Sequence, residues 1–304
     1  MRRPRVLVIG EAMIELRSRT TPSSGARPGV EWTFAGDTLN SAAAIAAAAP
    51  AARVQFLTGI GTDPRSEELV EFCERLNVDA SGSTVVPDRH LGLYWIETDG
   101  QDRRFQYWRD QSAARTALRS GIQLPRLEQD DTIVFSGITL AVAGPAAPAL
   151  LNQIRRARQA GAHVAFDTNY RQALWSDIGS ARHMFEAAFE LSDVIVASRE
   201  DIQWAWSLEP DAFCRQFATN TDTERQVLVT DGANGATTTI DGELHQQRPP
   251  PVAAPVDPTG AGDAFFGCFV GHRLAHASVE DALQHALAYA ASTVEHHGGL
   301  GHRF

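Results

Sequence analysis

The residue types best suited to chemistry occur in one short run near the C-terminus, VDPTGAGDAF at residues 256–265. A proline-containing turn there leads through small residues into an apolar helix, which places the backbone N–H groups of Gly260, Ala261 and Gly262 at a helix N-terminus. Such N–H groups and the helix dipole together form an anion site. The Asp263 carboxylate would lie beside it and accept a proton from an attacking hydroxyl, while the N–H groups stabilise a phosphoryl group in transfer. The structural alternative is a glycine turn in which Asp263 only caps the helix.

Lysine is absent from the sequence, so all 27 basic residues are arginines. This absence excludes the Walker lysine of P-loop NTPases and the strand lysine of protein kinases. It also excludes every mechanism in which a lysine amine forms a Schiff base. Phosphate chemistry in this chain would therefore belong to neither of those two kinase classes.

The composition is that of a globular chain with one or two domains: 304 residues, 43% of them hydrophobic and 21% charged. A formal net charge of −10 argues against a nucleic-acid partner. No apolar run approaches the roughly 18–20 residues of a membrane helix, and the run after the N-terminus is too short for a signal peptide. We therefore expect a cytoplasmic protein without a membrane partner. The cysteines Cys73, Cys214 and Cys268 are far apart and predict reduced core residues.

Strands alternate with helices over most of the chain, which predicts an α/β fold with a mostly parallel central sheet flanked by helices on both faces. The predicted strands are 5–9, 54–60, 132–136, 163–167, 194–197 and 226–230, followed by a hairpin around 241–242. The predicted helices are an alanine-rich helix ending at residue 49, capped by Asp37 or Thr38, and then 65–76, 146–160, 180–191, 200–207, 211–218, 262–275 and 279–296.

Residues 12–35 and 84–110 interrupt this alternation with period-two patterns that are rich in aromatic side chains. We expect antiparallel strands there, inserted between the parts of the core (residues 1–11, 36–83 and 111–304) and forming a small β lid over one sheet edge. The exposed aromatic residues of these strands would make a sticky edge. This edge favours a homo-oligomer, most simply a dimer built through paired lids.

Four motifs in order along the chain carry a resemblance to a known family: AGDTLN (35–40), TGIGTD (58–63), VTDGANG (229–235) and the run 256–265. Over essentially its whole length, the chain resembles the ribokinase-like (PfkB) carbohydrate kinases, which phosphorylate sugars and nucleosides without a P-loop. The resemblance implies ATP and Mg²⁺ as cofactors, Asp263 as the proton acceptor, and Gly260, Ala261 and Gly262 as the anion hole.

Three further segments resemble the members of that family that phosphorylate 2-keto-3-deoxygluconate: GLYWIE (92–97), YWR followed by SAA (107–114) and DTNYR followed by LW (167–175). This resemblance implies transfer of the γ-phosphoryl group to the C6 hydroxyl. The residues that it places around the sugar acid are Gly36, Asp37, Asn40, Tyr94, Tyr107, Arg109, Arg171 and Asp263. Arginine suits a carboxylate, and two charge-assisted contacts could separate an acid from a neutral hexose by about 10²–10⁴-fold.

The resemblance also implies a nucleotide side and an ion site. The nucleotide-side residues are Asn169, Ser198, Thr230, Gly232, Gly235, Gly260 and Gly262. A monovalent cation such as K⁺ would sit at Asp257 and Thr259. One departure from the family pattern is visible: Ser198 and Asp201 stand where Asn and Glu are usual, so the magnesium–water network would differ.

Two other functions remain open at the level of the sequence. A sibling kinase could act on a neutral sugar such as fructose or ribose, and would then depend little on Arg109. A regulator could bind sugar or nucleotide without catalysis, but such a protein has no need of the proton acceptor Asp263. Arg109 and Arg171 could also be surface ion-pair residues, and Asp37 could serve only as a helix cap.

Overall fold

Short runs of β-branched and aromatic residues form the strands of the computed structural model, which describes residues 3–19, 29–99, 102–218 and 225–300. Parts of the predicted lid (20–28 and 100–101) and of the predicted core (1–2, 219–224 and 301–304) lie outside the described residues. The strands are β1 (Arg5–Ile9), β2 (Met13–Arg19), β3 (Gly29–Ala35), β4 (Arg53–Leu57), β5 (Gly59–Ile60), β6 (Val78–Asp79), β7 (Thr84–Val85), β8 (Gly92–Asp99), β9 (Asp102–Trp108), β10 (Thr132–Ser136), β11 (His163–Asp167), β12 (Val194–Ser198), β13 (Gln226–Thr230), β14 (Ala236–Ile240) and β15 (Glu243–Gln247).

The helices lie between these strands or follow them. They are α1 (Asp37–Ala48), α2 (Pro64–Arg75), α3 (Ala113–Arg119), α4 (Gly137–Ala143), α5 (Ala147–Gln159), α6 (Ile178–Phe189), α7 (Arg199–Trp206), α8 (Pro210–Ala218), α9 (Ala261–Leu274) and α10 (Val279–Val294).

Nine strands of the described residues form one sheet in the order β15-β14-β13-β12-β11-β10-β1-β4-β6. All pairings from β13 to β6 are parallel. Strand β14 pairs antiparallel with both β13 and β15. Val6 and Val8 point into one hydrophobic cluster with α1, α2, α9 and α10, while Leu7 and Ile9 point into a second cluster with α3 to α8. The predicted mostly parallel sheet with helices on both faces is thus confirmed.

Helices α1 and α9 approach each other closely because small residues line their contact. A Cβ atom on Gly267 would overlap the Ser41 carbonyl, and one on Gly271 would come within 2.6 Å of the Ala48 Cβ. The alanine-rich sequence of α1 therefore serves close packing rather than helix propensity alone. This packing brings the N-terminal turns of the two helices together.

A second sheet has four strands in the order β3-β2-β8-β9, formed by residues 13–19, 29–35, 92–99 and 102–108. It covers one edge of the main sheet. Each hairpin is antiparallel, as the sequence pattern predicts, but β2 and β8 pair in parallel, with Met13 opposite Gly92. The two inserted hairpins thus join through their first strands. We call this sheet the lid.

Two local predictions are wrong. The strand predicted at 54–60 ends at Leu57, and β5 leaves the main sheet to pair with β7 because Gly59 packs directly on the Ala113 carbonyl. Helix α1 has Gly36 as its N-cap, with φ 149° and no side-chain cap, so neither Asp37 nor Thr38 caps it. A Cβ at Gly36 would overlap the Glu11 carbonyl, so only glycine fits this position.

The stretch Gly137–Gln159, which contains α4 and α5, has the length and hydropathy of a membrane span. Buried residues make up 56% of its most apolar window, and the helix is interrupted at Gly144. Burial of this kind is typical of a core helix. The cysteines Cys73, Cys214 and Cys268 are buried and free, as predicted.

Candidate active site

The cleft between the lid and the carboxyl ends of β10 to β13 has a volume of about 760 Å³. Ligands of open α/β sheets bind at this edge. Most of the predicted site residues line the cleft: Gly36, Asp37, Asn40, Tyr94, Tyr107, Arg109, Asn169, Arg171, Ser198, Thr230, Thr259, Gly260, Gly262 and Asp263. The structure therefore brings together residues that are separated by more than 200 positions in the sequence.

Asp263 lies in the first turn of α9 and is held by two amide side chains. Asn40 Nδ2 donates to Asp263 Oδ2 at 2.9 Å, and Asn169 Nδ2 donates to Oδ1 at 3.2 Å. The Ser41 hydroxyl donates to the Asp263 carbonyl at 3.2 Å. The close packing of α1 on α9 therefore fixes both the backbone and the carboxylate of Asp263, which is the third helical residue and not the helix cap.

Burial, together with the nearby negative charge of Asp37, raises the pKa of Asp263 to about 7. The hydrogen bonds from Asn40 and Asn169 and the charge of Arg171 act in the opposite direction. A carboxyl group with a pKa near neutrality is well matched to accept a proton at physiological pH. The electrostatics of the site thus favour the predicted role of Asp263.

The turn before α9 has the geometry of an anion site. Gly260 has φ 76°, a left-handed conformation that favours glycine, and its Cα packs on Gly299 with no room for a side chain. The N–H groups of Gly262 and Asp263 have no acceptor among the described residues, and the space around Gly262 is open. Ala261 differs from the prediction, because its N–H donates to the Pro258 carbonyl at 3.2 Å and it does not line the cleft.

Asp37 faces Asp263 from the first turn of α1. The Ser136 hydroxyl, at the end of β10, donates to Asp37 Oδ2 at 2.5 Å. Burial raises the pKa of Asp37, while the bond from Ser136 and the charge of Arg171 lower it. Asp37 is therefore a cleft residue whose position is set by the edge of the central sheet.

The turn after β11 carries Asn169 and Arg171, and Asp201 holds it in place. Asp201 Oδ2 accepts hydrogen bonds from the Thr168 hydroxyl at 2.6 Å and from the Tyr170 N–H at 3.0 Å. Asn169 has φ 33°, an uncommon conformation for a residue with a side chain. Arg171 is exposed to the cleft, and its guanidinium donates to the Tyr170 carbonyl. Asp201 thus positions the turn that presents both side chains.

Tyr94 of the lid and Arg109, the residue directly after β9, are both paired with buried glutamates. Arg109 forms an ion pair with Glu11, lies 5.1 Å from the Tyr107 ring, and has its pKa lowered to about 10 by burial. The Tyr94 hydroxyl donates to Glu15. Sequence reasoning missed both glutamates. The signal that could have found Glu11 is its position directly after β1 and Gly10, at the carboxyl edge of the sheet.

Four predicted site residues do not line the cleft: Ala261, Gly232, Gly235 and Asp257. Gly232 and Gly235 form the turn between β13 and β14, where the Gly235 N–H donates to the Gly232 carbonyl. Asp257 is buried behind the turn before α9 and accepts hydrogen bonds from the N–H groups of Thr259 and Gly298. Within the described ranges, no group of three His, Cys, Asp or Glu residues has the geometry of a metal site.

Comparison with known proteins finds a matching family and relatives by sequence, and a matching fold among solved structures. Residues 3–301 match the family described as pfkB family carbohydrate kinase. The chain is 33% identical to the 2-dehydro-3-deoxygluconokinase of Escherichia coli (strain K12), over 97% of this chain and 96% of the relative. It is 31% identical to the enzyme of the same name from Dickeya dadantii, over 97% and 96%. Among solved structures, a fructokinase double mutant from Vibrio cholerae O395 with bound fructose, ADP and potassium ion superposes with a TM-score of 0.82 at 22% identity, covering 99% of this chain and 95% of that one.

Proposed function

The chain belongs to the pfkB family and is a carbohydrate kinase, and from this premise we propose that it transfers the γ-phosphoryl group of ATP to the C6 hydroxyl of 2-keto-3-deoxygluconate. This sugar acid is the 2-dehydro-3-deoxygluconate in the names of the relatives. The observation that carries the proposal is a single cleft in which a carboxyl group with a pKa of about 7 lies beside unpaired N–H groups and an exposed arginine.

Asp263 accepts the proton of the C6 hydroxyl as the oxygen attacks phosphorus. Its two amide partners fix the carboxylate, so that little reorganisation is needed when the proton arrives. The N–H groups of Gly262 and Asp263, at the start of α9, stabilise the negative charge on the transferred group. Lid residues exclude water, which would otherwise take the phosphoryl group.

Mg²⁺ bound to the phosphates supplies positive charge that neutralises the developing negative charge. Glu200 lines the cleft and is an exposed carboxylate without an ion pair among the described residues. It fits a magnesium ion that keeps most of its water ligands. Asp201 is less suited, because its Oδ2 already holds the turn at Thr168 and Tyr170.

The carboxylate of a sugar acid finds its best partner in Arg171. This guanidinium is exposed to the cleft and donates only to a backbone carbonyl, whereas Arg109 is already neutralised by Glu11. A neutral sugar would offer the Arg171 guanidinium no carboxylate to bind. The arrangement therefore favours an acid over fructose or ribose as substrate.

The test is a coupled ADP-release assay with 2-keto-3-deoxygluconate, its C4 epimer, fructose and ribose. We expect kcat/KM for a sugar acid to exceed that for either neutral sugar by about 100-fold or more. Arg171→Gln should lower the acid value about 10–100-fold and change the neutral-sugar values by no more than about twofold. NMR of the product should place the phosphate on C6.

The matched control is Arg182→Gln in α6, an exposed arginine that does not line the cleft. It should leave every kcat/KM unchanged. A wild-type preference for fructose or ribose would replace this proposal with the neutral-sugar kinase. Equal losses for acids and neutral sugars in Arg171→Gln would show that Arg171 does not select the acid.

A further inference from the structure

Arg17 is a lid residue whose guanidinium reaches the turn before α9. It lies on β2, on the same face as Met13 and Glu15, because side chains alternate along a strand. Its side chain is only 15% exposed. One nitrogen pairs with Glu15, and the other lies 3.9 Å from Asp257 Oδ2. The lid therefore places a half-buried positive charge beside the turn before α9.

The segment at Gly298 is shaped to admit this guanidinium. A Cβ atom on Gly298 would overlap Arg17 Nη2, and the residue has φ 82°. The Gly298 N–H donates to Asp257 Oδ2 at 3.0 Å, so Arg17 and Gly298 approach the same carboxylate oxygen. Glycine is thus required here both by the backbone conformation and by the neighbouring cation.

Asp257 connects this charge to the anion site. Its Oδ1 accepts the Thr259 N–H at 2.9 Å, and its Oδ2 accepts the Gly298 N–H. Gly260, the N-cap of α9, packs on Gly299. The carboxylate of Asp257 therefore ties the turn to the segment on which that turn rests.

The described surroundings of Asp257 do not fit the monovalent cation that the sequence predicts at Asp257 and Thr259. Such an ion needs oxygen ligands, but each Asp257 oxygen faces an N–H donor, and the Arg17 charge lies within 4 Å of Oδ2. The guanidinium already supplies a positive charge to this carboxylate, which weakens its attraction for a second cation. A fructokinase of the same fold was solved with potassium ion.

We propose that Arg17 is the resident cation of the turn before α9, and that it replaces the monovalent cation there and makes phosphoryl transfer independent of potassium. The inference rests on the proposed kinase function. Arg17 does not line the cleft and acts through Asp257, so it is a positioning residue. Loss of the Arg17 guanidinium should allow a dissolved alkali ion to bind beside Asp257.

The test compares the full chain with Arg17→Gln, which removes the charge, and Arg17→Lys, which keeps it. Turnover of the sugar acid and the thermal unfolding midpoint without substrates are both measured in KCl, NaCl and choline chloride at equal ionic strength. Arg53→Gln is the matched control, because it removes an arginine ion pair with Asp79 that is far from the cleft.

We expect the kcat of the wild type and of Arg17→Lys to agree within about twofold across the salts. In choline chloride, Arg17→Gln should lose about 10–100-fold in kcat, and KCl should restore it. KCl should also raise the unfolding midpoint of Arg17→Gln, and of no other variant, above its value in choline chloride. These results would support the proposal.

The proposal is overturned if the wild type needs potassium for turnover. It is also overturned if no alkali ion changes the kcat or the unfolding midpoint of Arg17→Gln. The unfolding midpoints separate this failure from failure of the kinase proposal. If no sugar acid is phosphorylated in any salt, the proposed function is wrong, while a potassium-specific stabilisation seen only in Arg17→Gln would still support the resident cation.

Discussion

The two walls of the cleft are built in different ways. On the core side, the side chains project from helices and turns anchored to the central sheet. Asn40 and Asn169 donate hydrogen bonds to Asp263, and Ser136 donates one to Asp37. On the lid side, Tyr107 lines the cleft and is 46% exposed, while Trp108 does not line the cleft and is 57% exposed. The core wall thus has the rigid, desolvated character that proton transfer needs. The lid wall is suited to substrate enclosure and to contact with other surfaces.

Asp263→Asn tests the core wall most severely. Removal of the proton acceptor should lower kcat about 10²–10⁴-fold while sugar-acid binding persists, because the lid contacts and Arg171 remain. ADP release and calorimetric titration measure the two quantities. Asp281→Asn, at the exposed N-terminal turn of α10, is the control. If the wild type also binds sugar acid without transferring phosphate, the protein is a non-catalytic regulator.

The same substitution should change how stability depends on pH. The folded pKa of Asp263 is about 7, above its ordinary value of 3.8, so the folded protein binds more protons than the unfolded chain between about pH 4 and 7. The free energy of unfolding contributed by this group therefore falls as the pH rises through that range. Urea unfolding at pH 5 and 8 should show a smaller decline for Asp263→Asn than for the wild type, and an equal decline would mean an ordinary pKa.

Gly267→Val tests whether helix packing holds the core wall together. The new side chain would overlap the Ser41 carbonyl and push α9 from α1, which should reduce the free energy of unfolding by about 1–3 kcal/mol. Separation of Asn40 from Asp263 should also lower kcat more than it changes KM for the sugar acid. Gly179→Ala in α6 is the matched control, because a Cβ there meets only the Asp177 side chain, at 3.1 Å.

The pH profile of kcat/KM gives a finer test of the electrostatics in the core wall. Activity needs the charged form of Asp263, so kcat/KM should rise with pH and level off above about pH 7. Asp37→Asn removes the negative charge that raises this pKa, so the midpoint of the rise should move to lower pH even though the maximal rate also falls. An unmoved midpoint would mean that Asp37 and Asp263 do not interact.

The lid wall has its own test, with the smallest expected effect on catalysis. We propose that the exposed aromatic strands of the lid pair two copies of the chain, since Trp32 and Trp108 are 47% and 57% exposed. Trp108→Arg should then convert a dimer to a monomer in sedimentation analysis and change kcat by no more than about twofold. Ile178→Arg in α6 is the control, and an unchanged mass for both variants would exclude a lid dimer.

The sequence was sufficient for the central sheet and for most of the core wall. The alternation of strands and helices determines a parallel sheet, and the residues after its strands meet at one edge. Asp263 and the glycines around it lie in one continuous run, so their relation is local and visible in the sequence. Even Asp201, at a departure from the family pattern, could be flagged by position, although its bonds to Thr168 and Tyr170 could not.

The lid wall depended on information that a single sequence lacks. Glu15 lies opposite Tyr94 in the parallel pairing of β2 with β8, and this register joins residues 79 positions apart. Glu11, Glu15 and Arg17 look like ordinary surface charges in the sequence, but the fold buries both glutamates and half-buries Arg17. The end of β4 at Leu57 was missed for a similar reason, since the close approach of Gly59 to α3 cannot be read from local propensity.

The parallel pairing of β2 with β8 limits the order in which parts of the chain can fold. The two hairpins join only when Met13 pairs with Gly92. The chain between these two residues contains α1 and the first crossovers of the main sheet. Closing so long a loop is slow unless the intervening segments have already condensed. We therefore expect pulse-labelled hydrogen exchange during refolding to protect β1, β4 and β10 before β2 and β8. The central strands of the main sheet would then form before the lid does.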